Sequence, residues 1–383
     1  MNRILLLLFF LFFFFNSFSV DVRVGLKSIS NSSSITFIAS GAPYDILSGK
    51  RKVITLKKDE SVRIEIRGAL MNLKKYGKSK GTFRKLKFIT QADSAFFRIR
   101  SNHPETVTIP YDGNVLLTIR DNYIQVVNEV PLERYVAAVV ESEIGDRKEA
   151  EFLKACSILA RTFVMSHWDR HSVDGFSVCD ETHCQAYNSR SRFNTAIRPA
   201  VMETGNKVLT DSLCHLIAAP YHSNCGGQTM AAQDVWSKPL HNTRSVKDSF
   251  CLAGEHALWE YSLPKNEWIH YLKSNGILLT DTSLVDSLLC FNQDERSTYF
   301  NSSGASIPLR KIRDDFHLKS TFFSICIQND LVIFSGRGFG HGVGLCQEGA
   351  LEMALVGYTT KEILDFYFDD VRVTDLSELE YEK

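Results

Sequence analysis

Leu132–Arg161 reads LERYVAAVVESEIGDRKEAEFLKACSILAR, and the architecture of the chain follows from it. Leu132, Val136, Val139 and Glu143 succeed one another at intervals of four, three and four, so they share one face of a helix. That face is apolar until its last member, which ionises. Gly145 suits the left-handed cap that ends such a helix. Asp146 with Glu149 has the look of a capping box opening a second helix. The stretch therefore predicts two helices meeting at a tight turn, with a carboxylate just before the turn. A carboxylate closing a buried stripe loses hydration, which favours its protonated form and suits a general acid. A helix-end glutamate facing water or an arginine fits the same position, and the helix pattern leaves both readings open.

Composition bounds what surrounds this pair. The 383 residues suffice for two or three domains with a substantial core. Lys plus Arg and Asp plus Glu number 44 each, so charge makes no case for nucleic acid as a partner. An apolar content of 44% is that of a folded globular chain. The N-terminus carries an address: a basic start at Met1-Asn2-Arg3, an apolar run from Ile4 to Phe15, then small residues at Ser17 and Ser19. This reads as a signal peptide over residues 1–19 with Val20 as the mature start. An uncleaved anchor is the alternative, although the run is short for a bilayer span. Either reading exports the body of the chain, to a periplasm or cell envelope.

Export makes the nine cysteines informative, because an odd number leaves one unpaired, metal-bound or joined to another chain. Cys156 lies among Phe152, Leu159 and Phe163 and reads as a buried small hydrophobe. Cys290 and Cys326 lie in apolar runs and read the same way. Cys179, Cys184, Cys214, Cys225 and Cys251 cluster in mid-sequence as candidates for disulfides or a metal.

Short apolar alternations at Val22–Gly25, Ser34–Ala39, Val62–Ile66, Phe96–Arg100, Leu116–Ile119 and Tyr123–Val127 predict strands between Gly, Ser, Asp and Asn. The basic stretch Leu73–Lys87 reads as a solvated hairpin or as the lining of an anionic surface. Beyond the helix pair, a short helix is expected at Ala200–Gly205, and strands at Lys207–Leu209 and Leu216–Tyr221. Helices follow at Asn266–Gly276 and Ser283–Phe291. Leu318–Ile327 and Leu331–Ser335 predict a hairpin around Asn329-Asp330. Strands precede, interrupt and follow the helices without regular alternation, so the fold class is α+β.

Gly336-Arg-Gly-Phe-Gly-His-Gly-Val-Gly places glycine at every second position after a strand, which lets backbone approach a ligand and exposes N–H groups. It lacks the Gly-Lys-Ser/Thr of a phosphate loop and the glycine spacing of a dinucleotide fingerprint. His341 within it has no bulky neighbours in sequence and is expected to face a cleft. A glycine-rich turn with an incidental histidine is the plainer reading. Gln347 starts the next helix, and Thr359 with Glu362 opens the last one as a capping box.

Val130-Pro-Leu-Glu-Arg-Tyr-Val, Ser142-Glu-Ile, Leu153 to Thr162, His183-Cys-Gln-Ala-Tyr, Tyr221-His-Ser-Asn-Cys-Gly-Gly, Val235-Trp and Gly336 to Ala350 together resemble the SpoIID/LytB family, in order from about Val115 to Phe368. With the N-terminal address and early strands read above, the chain divides into a signal peptide at 1–19, a β-rich region at 20–114, a catalytic region implied by the resemblance at 115–370 and a tail at 371–383. In that region a central helical hairpin carries the catalytic glutamate, while the glycine-rich loop and the C-terminal helices close the cleft. The resemblance implies a lytic transglycosylase that cuts peptidoglycan strands stripped of stem peptides, with Glu143 as its acid and base. Arg161, Gln185, Tyr187, Ser223, Gly226, Gly227, Gly340, His341, Gly342 and Gln347 are the implied substrate contacts, and Arg161 is also expected to position Glu143. Glu141, two residues away on another helix face, is not expected to assist.

The chain departs from the family pattern where Ile144-Gly145 replaces Met-Pro, Cys156 a glutamine and Cys346 a serine. His171, Cys179 and Cys184 fit the zinc ligands of clostridial-type members with shifted spacing. His183 is a rival ligand, and disulfides Cys179–Cys184 or Cys225–Cys251 compete with the metal. A cell-wall amidase is an implied partner, because some relatives enhance one. The alternatives to transglycosylation are a non-catalytic wall-binding enhancer and a zinc hydrolase.

Overall fold

A computed structural model describes residues 20–236, 239–277, 289–302 and 305–379. The expected signal peptide and most of the helix expected at Ser283–Phe291 lie outside these residues.

The fold is mixed α and β. The strand-rich first third makes two sheets. A seven-stranded sheet runs in the order Val178–Cys179, Asp21–Gly25, Tyr123–Pro131, Asn114–Arg120, Lys85–Ile89, Tyr44–Ser48, Arg51–Leu56. A six-stranded sheet runs Ile109–Asp112, Phe96–Ser101, Ser34–Ser40, Ser61–Arg67, Leu70–Lys75, Lys78–Phe83. Alternating apolar side chains give each sheet one core face. Phe37 and Phe97 of the smaller sheet meet Tyr44 and Phe88 of the larger, with the Phe37 and Phe88 ring centroids 4.3 Å apart. Leu70–Lys75 and Lys78–Phe83 form the basic hairpin, its second strand largely exposed.

The strand Tyr123–Pro131 aims the helix pair. It pairs with Asp21–Gly25 in the register Asp21↔Pro131 and passes straight into the helix Leu132–Ile144. Pro131 suits this junction because its fixed φ and missing N–H cost nothing there. Gly145 ends the helix with φ 69°, as its sequence position suggested, but its ψ of −124° lies outside the left-handed helical region. The expected capping box is absent. The second helix, Ala150–Ser166, starts from Glu149, whose carboxylate instead accepts the Lys148 N–H. The second helix packs against Ile197–Glu203, Gln347–Leu355 and Thr360–Tyr367, so chain ends far apart in sequence close around it. Thr359 and Glu362 do form the capping box expected of the last helix.

One core runs from Val22 through the helix pair to Leu376. A second gathers Trp259, Trp268, Phe300 and Phe334 where Leu258–Pro264 pairs with the hairpin Phe323–Gln328/Leu331–Arg337. Cys326 sits on that hairpin, yet it is exposed, as is Cys290. Period two turns Cys326 outward between buried Ile325 and half-buried Ile327, so an apolar run did not mean burial. The strand expected at Leu216–Tyr221 shrinks to Tyr221–His222. Ala219 at φ 48° breaks the extension, and Pro220 has no N–H to donate to a ladder.

Candidate active site

Glu143 projects from the last turn of the first helix into a narrow recess lined by Val139, Val140, Ile144, Cys156, Leu159, Ala160, Tyr221, Leu345 and Gln347. The stripe read from the sequence supplies one wall. Tyr221 and Leu345 supply the other, because Tyr221–His222 pairs in parallel with Leu345–Cys346 and places them side by side. Glu143 is the only carboxylate of this lining. Burial raises its pKa; the Ala186 N–H, 2.8 Å from Oε1, and the Tyr221 hydroxyl pull partly the other way. The group therefore sits where its neutral form is favoured and its anion still has two donors.

A buried relay sets the donors. The Tyr135 hydroxyl donates to Gln185 Oε1 at 3.2 Å, and Gln185 Nε2 donates to the Tyr221 oxygen at 3.2 Å. Tyr221 has thereby accepted a bond and turns its own proton to Glu143. Sequence reasoning placed Tyr135, Ala186 and Tyr221 in motifs but none of them in the site. Their only signal was position, since Ala186 lies inside His183-Cys-Gln-Ala-Tyr and Tyr221 begins the next motif.

Several expected substrate contacts have other work. Arg161 is fully buried and spends its donors on groups other than Glu143. Its Nε and Nη2 fork onto Glu133 at 2.9 and 2.5 Å, and Nη1 donates to the Lys207 carbonyl at 2.9 Å. Gln185 and Tyr187 are each 1% exposed; the Tyr187 hydroxyl donates to Asn128 Oδ1 at 2.7 Å. All three side chains are closed off from the surface in this structure. Glu141 is occupied as well, accepting the N–H groups of Arg192, Phe193 and Asn194, which anchors that loop.

The glycines pack against the protein itself. At Gly338, with φ 78°, an added Cβ would lie 2.6 Å from the Asn224 carbonyl; at Gly344, with φ 70°, it would lie 2.1 Å from that of Pro220. A Cβ at Gly226 would meet Arg337, at Gly227 Leu252, at Gly340 His222 and at Gly342 Arg296. The N–H groups of Gly338, Phe339 and Gly340 donate to Ala257, Asn224 and Lys319. The glycine-rich loop thus builds the wall behind Tyr221, with these amides already bonded rather than free for a ligand. Ser223 contributes its carbonyl to the Glu348 N–H in the same wall.

His341 is outside the recess lining and stacks near His222 and Trp236, with ring centroids 5.4 and 5.1 Å away. Its Nδ1 accepts the Val343 N–H, and burial with the nearby Arg313 guanidinium holds its pKa down to about 4. It is a neutral imidazole at neutral pH. Among the expected contacts, Gln347 does line the recess opposite the helix pair.

The cysteine region resolves into two clusters. His171, Cys179, His183 and Cys184 bring one ligand atom each within 4.8 Å of one another. His171 Nε2 is buried without a hydrogen-bond partner, while its Nδ1 faces Asp174 at 3.1 Å. An imidazole oriented by a carboxylate with its other nitrogen bare is the usual arrangement of a zinc-ligating histidine. The Cys179 and Cys184 sulfurs are 3.8 and 3.7 Å from His183 Nδ1, so His183 joins the set rather than replacing His171. Two imidazoles and two thiolates suit tetrahedral zinc. Cys225, Asp248, Cys251 and Cys346 make the second cluster, and Cys214 is exposed and belongs to neither.

A family model described as stage II sporulation protein, SpoIID, matches residues 120–210. An uncharacterized protein of Brachyspira hyodysenteriae is 29% identical over 278 residues, 72% of this chain and 75% of that protein. Stage II sporulation protein D of Bacillus subtilis is 28% identical over 272 residues, 66% of this chain and 76% of that protein. The amidase enhancer of Bacillus subtilis is 27% identical over 290 residues, 62% of this chain and 40% of that protein. The resemblance to the SpoIID family carried by the ordered motifs is borne out by these matches.

Proposed function

We propose that this chain is an exported cell-wall enzyme, a lytic transglycosylase that cleaves peptidoglycan glycan strands between N-acetylmuramic acid and N-acetylglucosamine. The observation that carries the reading is the single desolvated carboxylate of the recess. A glycoside hydrolase ordinarily uses two carboxyl groups, one to protonate the leaving oxygen and one to attack or to activate water. Transglycosylation needs one. Glu143, protonated, gives its proton to the glycosidic oxygen as the C1–O bond breaks. The muramic acid's own primary hydroxyl then closes on C1 and returns a proton to the carboxylate, leaving an anhydro ring. Atoms balance without water, which fits an apolar recess. Burial favours the acid form at the start; Ala186 and Tyr221 stabilise the anion that forms midway.

Zinc is proposed for His171, Cys179, His183 and Cys184. Four protein donors leave no open coordination position, so the metal there would tie a loop to the sheet edge at Val178–Cys179 rather than activate water. That speaks against the zinc-hydrolase reading.

The test is digestion of denuded sacculi by the wild type and by Glu143→Gln, with mass spectrometry of the products. Anhydro-muramic ends from the wild type alone are expected, and equal yields from both proteins would refute the assignment. A relative named amidase enhancer supports a second reading, in which the chain binds glycan and releases nothing but accelerates a partner amidase. Its mark is the absence of anhydro ends from the wild type together with a faster amidase.

A further inference from the structure

The second cluster lies directly behind the recess and has no part in the chemistry above. Cys225 comes from the loop after Tyr221–His222, Asp248 and Cys251 from the turn Phe250–Ala253 and the residues before it, and Cys346 from the position that caps the helix carrying Gln347. All four are buried, and one ligand atom of each lies within 4.8 Å of all the others. Cys225 Sγ is 3.3 Å from both Cys251 Sγ and Asp248 Oδ2. A tetrahedral zinc with bonds of about 2.3 Å to sulfur sets neighbouring sulfurs about 3.8 Å apart. The cluster is close to that size, whereas a disulfide needs about 2.0 Å between sulfurs.

Two further features distinguish it from apolar packing of small side chains. Cys346 Sγ accepts the Cys225 and Gly349 N–H groups at 3.2 and 3.4 Å, at the N-terminus of a helix whose dipole favours negative charge. Asp248 is fully buried, and its hydrogen-bond partners are the Tyr367 hydroxyl, the Phe250 N–H and the Cys225 and Cys346 thiols, none of which carries positive charge; the Arg296 guanidinium beside the cluster donates to the Cys225 carbonyl at 2.7 Å. A buried carboxylate without a directly bonded cation is costly, and a coordinated metal would give it a partner of opposite charge. A Cys225–Cys251 disulfide would use two of the four groups and leave Asp248 and Cys346 as they are.

We propose that Cys225, Cys251, Cys346 and Asp248 form a second, structural site for a thiolate-preferring divalent cation of the zinc type. Binding displaces the three thiol protons and forms three metal–sulfur bonds and one metal–oxygen bond, with no change of oxidation state. The metal cross-links the loop behind Tyr221, the Phe250–Ala253 turn and the helix that presents Gln347, so it holds the wall opposite Glu143 in place.

The full chain is purified without reductant in the presence of zinc, and metal is counted by mass spectrometry in the wild type and in Cys179→Ser/Cys184→Ser. One zinc is expected to remain in the variant. A parallel measurement on the wild type alone alkylates the native protein before and after chelation and maps labelled peptides. Cys225, Cys251 and Cys346 are expected to resist labelling until the chelator is added and then to label together. A variant free of zinc, labelling of the three cysteines that the chelator leaves unchanged, or a Cys225–Cys251 disulfide in the unreduced peptide map would overturn the proposal.

Discussion

Replacing Glu133 by glutamine removes the negative charge from a pair whose other member cannot reach water. Arg161 is wholly buried in the second helix, and its guanidinium makes a two-bond fork onto Glu133 plus a bond to the Lys207 carbonyl. Breaking a buried pair by removing one partner costs about 3–5 kcal/mol, because the remaining charge stays desolvated. The Glu133 side chain is 30% exposed, so some water reaches the gap and the lower end of that range applies, about 3 kcal/mol. Equilibrium urea unfolding of Glu133→Gln should therefore show a lower midpoint at unchanged slope. Glu133→Leu/Arg161→Met, which removes both charges, should recover most of the loss. The folded Glu133→Gln protein should release anhydro-muramic ends with an unaltered pH profile, since the pair holds the helices together and does not touch Glu143. A loss below about 1 kcal/mol, the scale of a surface ion pair, would refute the energetic argument. A shifted pH profile at intact stability would restore Arg161 as a positioning residue.

Other consequences follow from the same geometry. Glu143→Gln should lower anhydro-end formation by about 10²–10⁴-fold, the usual share of a general acid, as measured by product mass spectrometry. Because burial raises the folded pKa of Glu143, its contribution to stability is fully present below the unfolded carboxylate value and is lost as pH rises through the folded one. Wild-type stability should therefore fall relative to Glu143→Gln across that window, in thermal melts at a series of pH values. Tyr221→Phe removes a donor to the Glu143 anion, so the pKa rises further and the basic limb of the pH–rate profile moves to higher pH; an acid shift would contradict the relay. Asp174→Ala frees the His171 ring from its orienting carboxylate and should weaken zinc at the first cluster by about 10–100-fold in a competition titration with a chelator.

Residue spacing made the helix pair, its apolar stripe, the position of Glu143, the early strands, the late hairpin and the last capping box legible, because each depends on neighbours within a few residues. The motif order carried the family. It carried some motif residues too far, since Arg161, Gln185 and Tyr187 stand in the right motifs but spend their polar atoms on Glu133, Tyr221 and Asn128. A motif records which side chains matter, and burial alone separates those that meet a ligand from those that hold the ones that do.

By itself the sequence determined the mixed fold, the helix pair and the one carboxylate at its turn, all products of local periodicity and composition. Tertiary structure alone decided what surrounds that carboxylate. Tyr221 and Gln347 join Glu143 in the recess from about eighty and two hundred residues away through a two-residue parallel bridge, and the cysteines and their His and Asp neighbours sort into two separate clusters. Those contacts arise from long-range pairing and from desolvation, which depend on the closed core rather than on any stretch of chain read alone.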